Sequence, residues 1–177
     1  ESHFSMSQDQ GIVDKLQTIG EKAFLFVKTP PVSKKEKFAD GKFLYQYSMA
    51  MFDLKKSNIT LTEFTLNNQR SITSTSAFID EKKNLYYYGY YAFRDEFTSS
   101  SSGLYCIKFD TKTGTQISEL NFDYDDEVVQ GFTYKSEKEL IKKRQITDVE
   151  IQRIIPKEDG GVLIVLEKDY MGYSGKY

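Results

Sequence analysis

The sequence has one cysteine, one histidine and three prolines in 177 residues, and each shortage removes a class of function. Cys106 sits alone in the apolar run Gly103-Leu-Tyr-Cys-Ile, so it can form no internal disulfide. A metal site at that thiol would need partners the sequence lacks, and a small buried apolar side chain is the expected role. The single histidine, His3, is next to the N-terminus, which takes away most His-based catalysis and most zinc chemistry. Three Pro and 11 Gly exclude collagen-like and Pro-rich chains. No apolar run approaches the ~20 residues of a membrane-spanning helix, so no transmembrane segment is expected. The formal charge is −2, without the basic excess of a nucleic-acid binder. The chain begins ESHFSMSQDQ, with no basic segment leading into an apolar core, so no signal peptide is visible. A mature exported protein begins in the same way.

What the sequence has in abundance is aromatic residues: 13 Tyr and 13 Phe, 15% of the chain. That composition excludes a disordered polar tail, because each ring supplies a large burial. The rings alternate with polar residues at period two, which reads as short β-strands at residues 23–28, 43–52, 59–66, 73–79, 85–93, 104–109, 116–120, 150–155 and 162–168. Turn sequences separate them: Ala39-Asp-Gly-Lys, Asp80-Glu-Lys-Lys-Asn, Asp110-Thr-Lys-Thr-Gly and Glu158-Asp-Gly-Gly. Thr98-Ser-Ser-Ser-Ser-Gly103 reads as a polar, mobile hairpin loop. The expected fold is all-β and antiparallel.

Two segments break the strand pattern. Ser7-Gln-Asp-Gln10 resembles a capping box, followed by Ile12, Val13, Leu16 and Ile19 at helical spacing and by Gly20 as a stop, which predicts a short N-terminal helix. Ser136-Glu-Lys-Glu139 is a second such box, leading into Leu140-Ile-Lys-Lys-Arg144. The stretch 123–148 is the most charged of the chain and is expected to be a surface insertion containing a short helix, within one domain over 1–177.

A weak internal repeat joins an apolar pair, an acidic–basic turn and a run of β-formers. It occurs as Phe78-Ile-Asp-Glu-Lys-Lys-Asn-Leu-Tyr86 and Ile154-Ile-Pro-Lys-Glu-Asp-Gly-Gly-Val162, with a shorter echo in Phe38-Ala-Asp-Gly-Lys-Phe-Leu44. The spacing fits units of ~40 residues, the length of a four-stranded propeller blade. The clearest unit is the middle one, built from the strands at 59–66, 73–79, 85–93 and 104–109. At that unit length, 177 residues hold about four blades at most, so either a partial propeller that self-associates or an open sandwich is expected.

Three segments, Ala77-Phe-Ile-Asp…Asn84-Leu-Tyr-Tyr-Tyr-Gly89, Gly103-Leu-Tyr-Cys-Ile-Lys-Phe-Asp110 and Ile154-Ile-Pro-Lys-Glu-Asp-Gly-Gly-Val-Leu-Ile164, resemble a group of uncharacterised exported proteins of Bacteroidetes-type bacteria with β-propeller-like repeats. The resemblance runs from about Phe43 to Met171. It implies an extracytoplasmic, periplasmic or secreted location and a non-enzymatic role, and it transfers no catalytic residue.

The candidate binding residues lie in Leu85-Tyr-Tyr-Tyr-Gly-Tyr-Tyr-Ala-Phe93. In a strand, Tyr87, Gly89, Tyr91 and Phe93 share one face, and Tyr86, Tyr88, Tyr90 and Ala92 the other. One reading packs both faces between sheets. The other makes Tyr86, Tyr88, Tyr90 and Tyr91 a stacking platform for a glycan or a peptide, as in a carbohydrate-binding or glycoside-processing domain, with Gly89 admitting close approach and Tyr170, Tyr173 and Tyr177 extending it. Asp123-Tyr-Asp-Asp-Glu127 gathers four carboxylates, but the EF-hand order is absent and a solvated turn is expected. No Gly-x-Ser-x-Gly elbow and no phosphate loop are present, so no catalytic residue, metal ligand or cofactor is assigned. Asn58-Ile-Thr60 fits a glycosylation acceptor, a pattern that recurs by chance. The expected partners are a second copy, another protein or a glycan.

Overall fold

The structure is a computed structural model that describes residues 11–33, 35–67 and 69–168. The chain divides into two compact units, residues 1–123 and 124–177. The boundary falls where the charged stretch begins.

The first unit contains two antiparallel meanders. β1 (Ile12–Ile19), β2 (Lys22–Thr29), β3 (Gln46–Asp53) and β4 (Asn58–Phe64) pair in chain order. The second meander is β7 (Leu85–Phe93), β8 (Gly103–Phe109) and β9 (Gln116–Asp123), with β5 (Arg70–Ile72) and β6 (Ser76–Ile79) sharing the free edge of β7. It is therefore four strands wide, and both meanders have the four-stranded antiparallel form of a propeller blade.

Alternation turns one face of each meander inward. Phe24, Phe26, Tyr47, Met49, Met51 and Phe64 of the first meet Leu85, Tyr87, Tyr91, Tyr105, Ile107 and Phe109 of the second in one buried cluster. Aromatic contacts hold this interface: Phe26 stacks on Tyr87 at 4.3 Å between ring centroids, and Phe64 meets Tyr87 at 5.4 Å and Phe109 at 5.3 Å. Each such pair adds about 0.5–1.5 kcal/mol beyond the area it buries.

The N-terminal helix expected at residues 12–19 is a strand; the capping box itself, at 7–10, lies outside the described residues. A bulge explains the error. The register of β1 against β2 shifts between Val13 and Lys15, so Asp14 is the extra residue and Val13 and Leu16 fall on the same face. A spacing of three on one face of a bulged strand imitates helical periodicity. Gly20, expected as a helix stop, takes φ +57° in the β1–β2 turn.

That misreading also displaced the repeat. β4, assigned by sequence to the middle unit, completes the first meander instead, and the strand expected from Phe43 begins at Gln46. The serine loop closes the β7–β8 hairpin as expected, but it is packed rather than freely solvated. Ser100, Ser101 and Ser102 are buried, and the Ser102 hydroxyl donates to the buried Glu96 carboxylate at 2.5 Å. Glu96 also accepts the Phe93 amide at 2.7 Å.

The second unit contains α1 (Asp126–Phe132), α2 (Lys138–Lys143) and an antiparallel hairpin of β10 (Val149–Pro156) and β11 (Val162–Lys168). The acidic cluster begins α1: the Asp125 carboxylate caps it by accepting the Val128 amide at 2.8 Å, and Asp126 and Glu127 occupy the positive first turn. Sequence reading left this helix out. α2 begins after Glu137 rather than Ser136, and makes no side-chain cap; the Glu137 carboxylate turns back to the Tyr134 amide at 2.6 Å. Among the described residues no helix is long and apolar enough to cross a membrane.

Candidate functional site

Strand β7 runs over the nine residues the sequence indicated, Leu85–Phe93, as a central strand of its meander. The four candidate tyrosines do not form one platform. Tyr86, Tyr88 and Tyr90 pair with Lys108, Cys106 and Leu104 on the outer face, whereas Tyr91 lies on the inner face with no exposure. Tyr86 is buried, stacked on Phe78 at 4.9 Å, with Lys108 above its ring and its hydroxyl donating to Asp80 at 3.3 Å. Burial, then the charge of Asp80, pushes this phenol up to about 12. Tyr88 and Tyr90 are half-buried, and Tyr88 meets Phe78 edge-on. Tyr170, Tyr173 and Tyr177 lie outside the described residues.

Gly89 does admit a close approach, but of the protein's own backbone. A Cβ placed there would overlap the Ser74 carbonyl. The 73–75 segment crosses β7 at this point, with the Thr73 amide donating to Tyr90 at 2.9 Å and the Tyr105 hydroxyl donating to the Ser74 carbonyl at 3.1 Å.

On the inner face Tyr87, Tyr91 and Tyr105 each find a carboxylate or a carbonyl. Tyr87 donates to Asp14 at 2.9 Å; this carboxylate, turned inward by the bulge, is 8% exposed and faces the Lys28 ammonium at 3.6 Å. Tyr91 donates to Asp123, which also receives the Arg70 guanidinium in a two-pronged pair at 2.7 and 2.9 Å. Arg70 covers the rings of Tyr91 and Phe93 at 5.2 and 5.9 Å. Burial alone would raise the Asp123 carboxyl, but the Tyr91 hydroxyl and the Arg70 guanidinium outweigh it and hold it below its usual range.

These hydrogen bonds join residues 31 to 73 apart in sequence, and sequence reading missed Asp14 and Arg70 for that reason. A charged residue next to Val13 on a bulged strand was the one local signal available for Asp14. Replacing Tyr87 by Phe is expected to cost about 1–3 kcal/mol, because among the described residues it leaves the Asp14 carboxylate only the Lys28 ammonium. Urea denaturation measures the loss. Adding Asp14→Asn should then cost less than it does alone, and additive effects would show that the pair is not coupled.

The other sequence candidates are structural in their contacts. Burial pushes the Cys106 thiol up to about 12, which keeps it protonated and unreactive at neutral pH. Arg144 takes a left-handed conformation at the end of α2 and pairs with Asp126 at 2.8 Å. Asp159 accepts the Gly161 amide within the β10–β11 turn. Among the described residues no group of three or more His, Cys, Asp or Glu side chains is placed to hold a metal ion.

The geometry defines an all-β protein of antiparallel, blade-like meanders. No family model matches the chain, and no curated protein matches it. Among solved structures it is similar to the β-propeller domain of the Trilobed protease from Pyrococcus furiosus, at 12% identity and a TM-score of 0.24. The match covers 93% of this chain, which spans 59% of that domain's length. A likeness at that score carries no argument about this chain.

Proposed function

We propose that the chain is a non-catalytic, extracytoplasmic binding or scaffold module of propeller-like build, which works by stacking the open face of its first meander on a second copy. The observation that carries this reading is the composition of that face. Across β1–β4 its rows are Thr18–Ala23–Phe52–Ile59, Leu16–Leu25–Ala50–Leu61 and Val13–Val27–Ser48–Glu63. One of the twelve residues is charged. Val13 and Leu16 on one edge strand and Ile59 and Leu61 on the other are 57%, 58%, 44% and 62% exposed, and between them Val27 and Ala50 are buried.

A two-fold axis along the Leu16–Leu61 row would lay that row on itself and send the two Glu63 carboxylates to opposite ends, so a second copy meets no like-charge repulsion. The resemblance of the 43–171 stretch to exported propeller-like proteins supports the location.

Sedimentation across a range of concentrations tests the reading. Dimerisation is expected for the native chain, and Leu16→Lys with Leu61→Lys should give monomers of nearly unchanged stability, since both side chains are solvated. A native chain that stays monomeric, or a dimer indifferent to both lysines, would overturn it.

A further inference from the structure

At the end of the first unit where the β1–β2, β3–β4, β6–β7 and β8–β9 turns meet, two clefts of about 560 and 480 Å³ share Ile19, Lys22 and Lys112. Their walls carry six lysines, Lys22, Lys55, Lys56, Lys82, Lys83 and Lys112, against the carboxylates Glu21, Asp53 and Asp110. The local balance is +3, in a chain whose total is −2.

Two of the three carboxylates are turned into the turns they belong to. Asp110 accepts the Lys112 amide at 2.8 Å and the Thr113 hydroxyl at 3.1 Å, and Asp53 accepts the Lys56 amide at 3.1 Å. Glu21 reaches Lys55 at 3.8 Å. The Lys22 ammonium is fixed differently: it donates to the Thr111 and Lys112 carbonyls at 2.9 and 2.8 Å. Its hydrogen-bond acceptors there are neutral carbonyls, which fix its charge at the junction of the two clefts, where the Asp110 carboxylate feels both Lys112 and Lys22.

We propose that this lysine-lined end binds an acidic polysaccharide, a chain of sugars bearing carboxylate or sulfate groups. Separated cations suit a ligand whose charges repeat along a chain. Between the cations the walls carry the Asn84 side-chain amide, the Thr111 hydroxyl and the aliphatic side chains of Ile19 and Ile117. The amide donates one hydrogen bond to Asp80 at 2.8 Å and keeps its second N–H and its oxygen; the hydroxyl donates to the Lys83 carbonyl at 3.1 Å and can still accept. Ile117, the extra residue of a bulge in β9, is 56% exposed. Hydroxyl-bonding groups beside an apolar strip match the alternating O–H and C–H surface of a pyranose. Among the described residues that line them, the clefts have no aromatic platform of the kind on which single-stranded nucleic acids stack. They are also formed by turns rather than by an amphipathic helix that could lie in a lipid surface.

The test is calorimetric titration of the full chain with oligogalacturonate and with dextran sulfate, beside neutral dextran, inorganic phosphate, single-stranded DNA and phosphatidylglycerol vesicles. At least one acidic glycan should bind saturably and more weakly as salt rises, and neutral dextran should not bind. Lys82→Glu with Lys112→Glu should weaken that binding at least about tenfold, while Lys138→Glu in α2 should leave it unchanged. Circular dichroism verifies that the variants fold. Failure of both acidic glycans to bind, equal loss with Lys138→Glu, or binding to phosphate, DNA or vesicles that matches or exceeds the glycan would each overturn the assignment. The cleft shares no residue with the Leu16–Leu61 row, so a monomeric chain that binds glycan, or a dimer that does not, separates the two readings.

Discussion

Above about pH 10 the protein should lose stability steeply and unfold near pH 11–12, because its core is built on phenols that must stay protonated. Tyr47, Tyr87, Tyr91 and Tyr105 are all buried, and burial is the first cause raising each of them above an ordinary tyrosine. For Tyr87 the charge of Asp14 adds to burial, and for Tyr91 the hydrogen bond to Asp123 does. In the unfolded chain these phenols ionise near the usual value of about 10. Below that value neither state loses a proton and the contribution is fully present. Above it the unfolded chain releases protons that the folded chain keeps, so stability falls as pH rises.

Each phenol contributes a slope of about 1.4 kcal/mol per pH unit, and four together approach about 5.5 kcal/mol per unit, against a total stability of about 5–15 kcal/mol. Tyrosinate absorbance and far-ultraviolet circular dichroism should therefore change together, in one cooperative step. Tyrosinate forming smoothly near pH 10 with the dichroism unchanged would show that the core phenols are not held protonated. Tyr87→Phe removes one of the four, and should make the alkaline slope shallower even though it lowers stability at neutral pH.

This dependence on tyrosine was partly legible in the sequence. Period-two alternation placed β7 and β11 to the residue, and the division of the Tyr-rich strand into two faces follows from the alternation alone. Which face is deeper was not legible, because it depends on what packs above each, and that is set by residues far away in the chain. Asp14, Arg70 and Asp123 decide where the phenol hydroxyls go, yet each reads locally as an ordinary surface charge. The first strand was lost to a bulge that shifts its register by one residue. With it went the boundary between the meanders, since a four-stranded sheet short of its first strand borrows from the next. The lysines show the same limit: each belongs to a hairpin turn of unremarkable chemistry, and only the return of four turns to one end makes them a group.

Replacing Gly89 by Ala should cost about 3–5 kcal/mol, although alanine is the better strand residue by propensity. β5 and β6 pair with the two ends of β7 but not with its centre, and the chain between them crosses over Gly89. A methyl group there overlaps the Ser74 carbonyl, so either β7 or the crossover must move. Moving β7 disturbs its ladder with β8 on the other side, where Gly89 faces Tyr105. Moving the crossover takes away the acceptor of the Tyr105 hydroxyl, which is buried with no exposure and is then left unpaired. Overpacking accounts for about 1–3 kcal/mol and the unpaired phenol for a similar amount. Gly131→Ala in α1 supplies the opposite sign: nothing lies within 4 Å of the added carbon, and alanine should stabilise the helix by up to about 1 kcal/mol. Denaturant midpoints for the two variants decide the matter. A Gly89→Ala chain that loses less than about 1 kcal/mol would mean that the crossover yields freely, and that glycine is there for some reason other than the approach of its own backbone.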